Sequence, residues 1–273
     1  MSDVPWPTVD EALEFLDLEH IDGDLYRGRP GVRPAGRATI YGGETASQAL
    51  RAAAHTVPQG RLPHSLHGYF LRPGDATLPV LFHVDRNRDG RSFSSRRVAA
   101  TQRGEVIWEM SCSFTEPIDG PEFVQPPRRD LPEPERCVSS PHPWCPPAEI
   151  LRAVEPRNEP RVEPWADRLW TRFIGPLPDD PIVHACLHAF LSDMGAGFGD
   201  LEVDGVPPLG PSLDHALWFH HPSRADDWVI WDCVPSKVGS HRGLYTGTAH
   251  DRSGQLVAIV AQEMLLRPPR SVG

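Results

Sequence analysis

Histidine, arginine and cysteine are the side chains of this sequence most able to do chemistry on their own, so their spacing is the first thing to test. His215, His220 and His221 cluster on a strand-like run, where alternation puts His215 and His221 on one face and His220 on the other. No Asp, Glu or Cys set stands at ligand spacing beside them, so no metal site is expected and the histidines read as surface or half-buried sheet residues. The five cysteines, Cys112, Cys137, Cys145, Cys186 and Cys233, are odd in number and contain no C-x-x-C pair, which argues for reduced, packed thiols. The segment from Arg86 to Arg97 is the most basic stretch of the chain, and guanidinium forks such as those of Arg91, Arg96 and Arg97 suit phosphate groups; the blander reading is a solvated turn and sheet edge.

Several familiar signatures are absent. There is no G-x-S-x-G elbow, no H-E-x-x-H and no G-x-x-x-x-G-K-[ST] loop. Gly195-Ala-Gly-Phe-Gly199 imitates a dinucleotide fingerprint, but its last glycine falls one place early and the stretch follows a helix, so it reads as a helix exit. No cofactor is expected. The net charge of -10 argues against nucleic acid and anionic membrane as partners. No apolar run is long enough for a membrane helix and the start lacks a signal-peptide pattern, so a cytoplasmic protein is expected.

The elements that must position any site fall into two similar halves. Thirteen of the 31 prolines lie between Pro117 and Pro164, which reads as a linker at 117–164 separating residues 1–116 from 165–273. Each half holds a helix rich in small residues, Gly42 to Pro58 and Pro181 to Leu191, and several strand-like runs. Tyr69-Phe-Leu-Arg-Pro73 matches Trp218-Phe-His-His-Pro222 at an offset of 149, and Arg103-Gly-Glu-Val-Ile107 matches Ser253-Gly-Gln-Leu-Val257 at 150. A duplicated α+β unit follows, with a site expected where the copies meet.

Four segments then carry a resemblance: Tyr41 to Leu50, Leu62 to Asp75, Arg88 to Gln102, and Ser212-Leu-Asp-His-Ala-Leu-Trp-Phe-His-His-Pro222. Together they resemble the type II (TesB-like) acyl-CoA thioesterases over nearly the whole chain outside the linker. The resemblance implies a double hot-dog, in which two antiparallel sheets each wrap a central helix and pair into one continuous sheet. It implies hydrolysis of acyl-CoA by a water held by an aspartate, a hydroxyl residue and a glutamine, and an acyl-CoA partner; assembly as a homo-oligomer is also expected. By position these look like Asp193, Ser236 and Gln262, with Ser240 as the fallback hydroxyl because Ser236 is followed by Lys237-Val-Gly where the family has small residues.

The chemistry suits those residue types. An aspartate can take the proton of an attacking water, while a hydroxyl and an amide fix the water's orientation. Backbone amides at a helix start, Gly42 and Gly43, are the candidate oxyanion donors. Cys112 stands 150 places before Gln262 and cannot offer an amide, so one complete site per chain is expected. Taken without the resemblance, Asp193 reads as a helix-end residue, Gln262 as a strand residue and Ser236 as a turn residue. Two rivals stand beside hydrolysis. One is a silent acyl-CoA-binding protein; the other is a hot-dog enoyl-CoA hydratase, for which Asp180-Pro-Ile-Val-His184 is the nearest candidate pair.

Overall fold

The computed structural model describes residues 9–29, 38–118, 120–128, 130–140, 148–153, 167–194, 197–198, 201 and 210–266. The first half begins with α1 (Val9–Glu14), β1 (Glu19–Asp22) and β2 (Leu25–Gly28), followed by helix α2 (Gly42–Ala54). Then come β3 (Leu62–Phe70), β4 (Val80–Asp89), β5 (Phe93–Gln102) and β6 (Glu105–Thr115). After a short 3-10 turn, β7 (Val138–Ser139) and β8 (Ala148–Arg152) lead into the second half: β9 (Asp167–Phe173), helix α3 (Pro181–Ser192), β10 (Asp214–Phe219), β11 (Val229–Gly239), β12 (Arg242–Asp251) and β13 (Leu256–Leu265).

Among the described residues, thirteen strands form one sheet in the order β1-β2-β4-β5-β6-β3-β10-β13-β12-β11-β9-β8-β7. Every pairing in it is antiparallel. The halves mirror each other: from its outer side the second reads β8-β9-β11-β12-β13-β10, as the first reads β1-β2-β4-β5-β6-β3. They join where β3 and β10 pair, with Leu66 opposite Leu217 and His67 opposite Ala216. The register repeats the sequence offset, since Pro63 faces Phe114 just as Ser212 bridges Met264.

The strand-forming runs of the sequence fall within a few residues of these strands, but β1, β2, β7 and β8 carry no sequence signal strong enough to name. The stretch read as linker is more than a connection. Val138 to Ser139 and Ala148 to Arg152 pair onto the outer edge at β9, and an edge position tolerates prolines nearby because only one side of the strand needs its donors.

Helix α2 packs against β3, β4, β5, β6 and α3, and the small side chains of Ala46, Ala49, Ala52 and Ala53 let it be buried on nearly every side. α3 starts with Pro181, which fits a first helical position, and the Asp180 carboxylate accepts the Ile182 N–H at 2.9 Å. The two helices run antiparallel. Arg51 in the last turn of α2 pairs with Asp180 at 3.4 Å, and Asp193 at the end of α3 meets the start of α2. Among the described residues no helix is long and apolar enough to cross a membrane.

Candidate active site

Asp193 is the first residue past α3, and its backbone has left the helical conformation, so its side chain projects beyond the helix end. Gln262 lies on β13, facing inward, and its Nε2 donates to Asp193 Oδ1 at 2.6 Å and also to the Ser212 hydroxyl oxygen. Ser212 stands just before β10, where its bridge to Met264 holds it against β13. The Asp193 carboxylate thus receives the Gln262 amide, the Gly43 backbone N–H and the Ser212 hydroxyl. Each of these favours the charged form, yet burial outweighs them and pushes the Asp193 carboxyl up to about 7. A carboxylate there is poised to exchange a proton near neutrality.

Gly42 and Gly43 bring the halves this close. A Cβ on Gly42 would lie 2.5 Å from Asp193 Oδ2, and one on Gly43 would collide with the Phe190 carbonyl oxygen. Only glycine lets the start of α2 meet the end of α3 at this distance. Tyr41 fastens the contact, its hydroxyl donating to that same carbonyl at 2.9 Å and its ring meeting Phe190 edge-on.

A second layer fixes the Gln262 amide. Its Oε1 accepts from the Tyr245 hydroxyl, directly opposite on β12, and lies 3.2 Å from His215 Nδ1. Because an amide oxygen only accepts, the proton of His215 belongs on Nδ1, leaving Nε2 to face the Ser192 hydroxyl at 2.8 Å. Burial holds His215 down to about 4, so it is neutral. With Oε1 held by two donors, Nε2 must face Asp193 and Ser212. The amide cannot flip without losing both sets of bonds.

Asp193, Ser212 and Gly42 line one side of a cavity of about 720 Å³ between the halves, whose other walls include Ile40, Phe70, Trp108, Met194 and Met264; Gln262, Tyr245 and His215 stand behind that wall. That combination of an apolar chamber and convergent polar groups is what an acyl thioester requires.

The structure therefore brings Asp193 and Gln262 together, but not Ser236. Ser236 is the extra residue of a bulge in β11, exposed, with its hydroxyl 3.3 Å from that of Thr246. Ser240 sits at the β11–β12 turn with positive φ, equally exposed. The hydroxyl beside the pair is that of Ser212, inside the segment that carries the resemblance. The bulge at Ser236 and the turn at Ser240 break the alternation of that hairpin, so position along it is a poor guide to what faces inward.

The arginines also divide. Arg96 is fully buried; its Nε donates to Thr56 Oγ1 at 2.7 Å, one Nη donates to the Thr56 carbonyl at 2.9 Å, and it pairs with Asp89. It caps the end of α2 from inside and cannot reach a phosphate. Arg97 is half-exposed and forked onto Glu109, with Nε at 2.8 Å, whereas Arg91 is exposed at the β4–β5 turn. Gly43 spends its amide on Asp193, which leaves Gly42 as the better-placed oxyanion donor of the two. His215 is fully buried, against the surface reading, and His220 and His221 lie beyond the end of β10. Cys112 and Cys186 are packed thiols that burial pushes up to about 12. Cys145 and most of the Gly195 to Gly199 stretch lie outside the described residues.

The domain described as the acyl-CoA thioesterase N-terminal domain matches residues 29–115, and the acyl-CoA thioesterase C-terminal domain matches residues 134–266. The chain belongs to the TesB-like acyl-CoA thioesterase II family. The thioesterase is 34% identical to acyl-coenzyme A thioesterase 8 of Mus musculus, over 94% of this chain and 88% of that one. It is 30% identical to acyl-CoA thioesterase 2 of Haemophilus influenzae, over 98% and 99% of the two chains. The crystal structure of the acyl-CoA thioesterase II TesB2 from Mycobacterium marinum matches with a TM-score of 0.81 at 37% identity, covering 94% of this chain and 98% of that one. Hydrolysis of acyl-CoA thioesters is therefore the activity of this thioesterase, and its antiparallel sheet with two helices agrees with a hot-dog architecture. Asp180 and His184, the pair a hydratase reading needs, are committed elsewhere: Asp180 caps α3 and His184 accepts the Ala225 N–H at 3.1 Å.

Proposed function

We propose that this thioesterase hydrolyses acyl-CoA by direct attack of a water that Asp193 deprotonates, with Ser212 and Gln262 holding the water and the base in line. The observation that carries this reading is the meeting of Asp193 and Ser212 at the start of α2, on the wall of a largely apolar cavity, with Gln262 bonded to both from behind. A water seated between Asp193 and Ser212 gives its proton to the carboxylate as its oxygen bonds to the thioester carbon. The carbonyl oxygen then carries the negative charge, which the Gly42 N–H and the positive end of α2 stabilise. Collapse of the tetrahedral species breaks the C–S bond, and the proton on Asp193 passes to the departing CoA sulfur. Free acid and CoA leave, and no covalent acyl-enzyme forms.

The double hot-dog reading in its finer form, a sheet curving round its helix, is supported for the first half by the contacts of α2 with β3, β4, β5 and β6. Arg91 and Arg97, on the exposed face of the β4–β5 hairpin, are the remaining candidates of the basic run for CoA phosphates. Rapid-quench measurement of thiol release tests the chemistry. Release should be linear from the first turnover, and a burst of one thiol per chain would mean an acyl-enzyme and a nucleophile in place of a base.

A further inference from the structure

Duplication leaves a second chamber. If the helices are aligned by their first residues and the strands by the offset of 149 to 150, the cavity at the start of α2 has a counterpart at the start of α3. A cavity of about 700 Å³ lies there, lined by Pro63, His64, Thr115, His184, Phe219 and Pro222 among others. The correspondence is residue by residue. Phe70 to Gly74 on one wall become Phe219 to Ser223 on the other, Ile107 becomes Val257, and Ser212 becomes Pro63.

The second chamber has lost the hydrolytic groups. Pro63 has no hydroxyl, Cys112 stands for Gln262, and Ala54 stands for Asp193. Pro181 replaces Gly42 and has no N–H, and the next amide, Ile182, is taken by Asp180. In exchange it has gained two buried histidines one turn apart on α3. His184 Nδ1 accepts the Ala225 N–H at 3.1 Å, so its proton is on Nε2, a buried donor without an acceptor among the described residues. His188 Nε2 lies 3.1 Å from the Ser223 carbonyl and must donate to it, so Nδ1 is a buried acceptor without a donor. Both residues are at least nine-tenths buried and both line the chamber. An unpaired buried donor and acceptor each cost stability unless something occupies them.

We infer that this chamber is a second, non-hydrolytic binding site for an amide-bearing acyl or pantetheine-type arm, whose C=O takes the His184 N–H and whose N–H serves His188. The uncharged amide is preferred to a carboxylate because the wall offers neutral rings: burial holds His188 down to about 4 and lowers His184 as well. A carboxylate entering would be buried against a lone pair. The inference rests on the first chamber being the hydrolytic one only for the assignment of which copy lost its chemistry.

Calorimetric titration of the full chain with S-octylpantetheine, a thioether that cannot be hydrolysed, tests it. Two molecules should bind per chain, falling to one in Ala185→Trp, which fills the second chamber, while kcat/KM for acyl-CoA stays within twofold. His188→Leu, a milder change, should weaken the second event by about tenfold through loss of one hydrogen bond. A single molecule per wild-type chain, or two still bound by both variants, overturns the proposal, as does octanoate binding there at pH 7 in preference to the thioether. Failure of the hydrolytic reading would show separately, as unimpaired turnover in Asp193→Asn with the stoichiometry of two intact.

Discussion

The two chambers are built from the same elements, yet they use the position opposite the inner strand in opposite ways. In the second half Tyr245 faces Gln262 across β12 and β13 and reaches it with a hydrogen bond. In the first half the equivalent pair is Arg96 opposite Cys112, and the arginine turns away to bind the Thr56 carbonyl at the end of α2. One pair orients the Gln262 amide and the other closes a helix. What distinguishes them is what lies at the helix end: a carboxylate that needs a partner after α3, and carbonyls that need a donor after α2. On the proposed mechanism, a duplicated scaffold keeps its packing while a few inward positions decide which copy performs chemistry.

The largest effect expected from breaking this contrast is at Asp193. Asp193→Asn keeps the shape and removes the base, so kcat should fall by roughly 10² to 10⁴ in steady-state thiol release. Stability should move the other way with pH. The folded carboxyl is raised above its unfolded value, so its contribution is fully present below the unfolded value and is lost as pH rises through about 7. At pH 8 the asparagine variant should melt no lower than wild type.

Next comes the hydroxyl. Ser212→Ala should lower kcat by about 10- to 100-fold, a loss typical of removing one charge-assisted bond at the reacting centre, while Ser236→Ala should stay within twofold. The reverse ranking would return the role to the β11 bulge. The Tyr245 and Arg96 pair sharpens the comparison further. Tyr245→Phe should cost about tenfold in kcat with little change in melting temperature, because Gln262 loses an orienting donor. Arg96→Ala should instead cost about 3 kcal/mol of stability in chemical denaturation, by leaving buried carbonyls unpaired, with KM for acyl-CoA unchanged in the folded fraction. Smallest is the surface contribution: Arg91→Glu should raise KM for acyl-CoA a few-fold and leave KM for a short thioester without the nucleotide unchanged.

Most of the frame was legible in the sequence. The alanine-rich α2, the Pro-started α3 and the offset of 149 to 150 are local or periodic signals, and they led to a mirrored sheet. Asp193 and Gln262 were reachable through the resemblance. Ser212, Tyr245 and Ser192 were not singled out, and His215 read as a surface or half-buried sheet residue, because their place depends on which residues converge from β10, β12, β13 and α3, and no spacing along one strand encodes that. Arg96 misled for the same reason: a charge in a basic run looks solvated until the alternation of β5, read against a helix end, turns it inward. Strands β7 and β8 were hidden by the prolines around them.

The proposed mechanism turns on a buried carboxylate, raised to about 7, that deprotonates the attacking water. The pH dependence of kcat/KM for one acyl-CoA, measured on wild type and Asp193→Asn in parallel, tests it most directly. The wild-type rate should fall about tenfold per pH unit below a midpoint near 7, and the residual rate of the variant should lack that inflection. An inflection that persists in Asp193→Asn, or a wild-type rate that is flat from pH 5 to 8, would contradict the account.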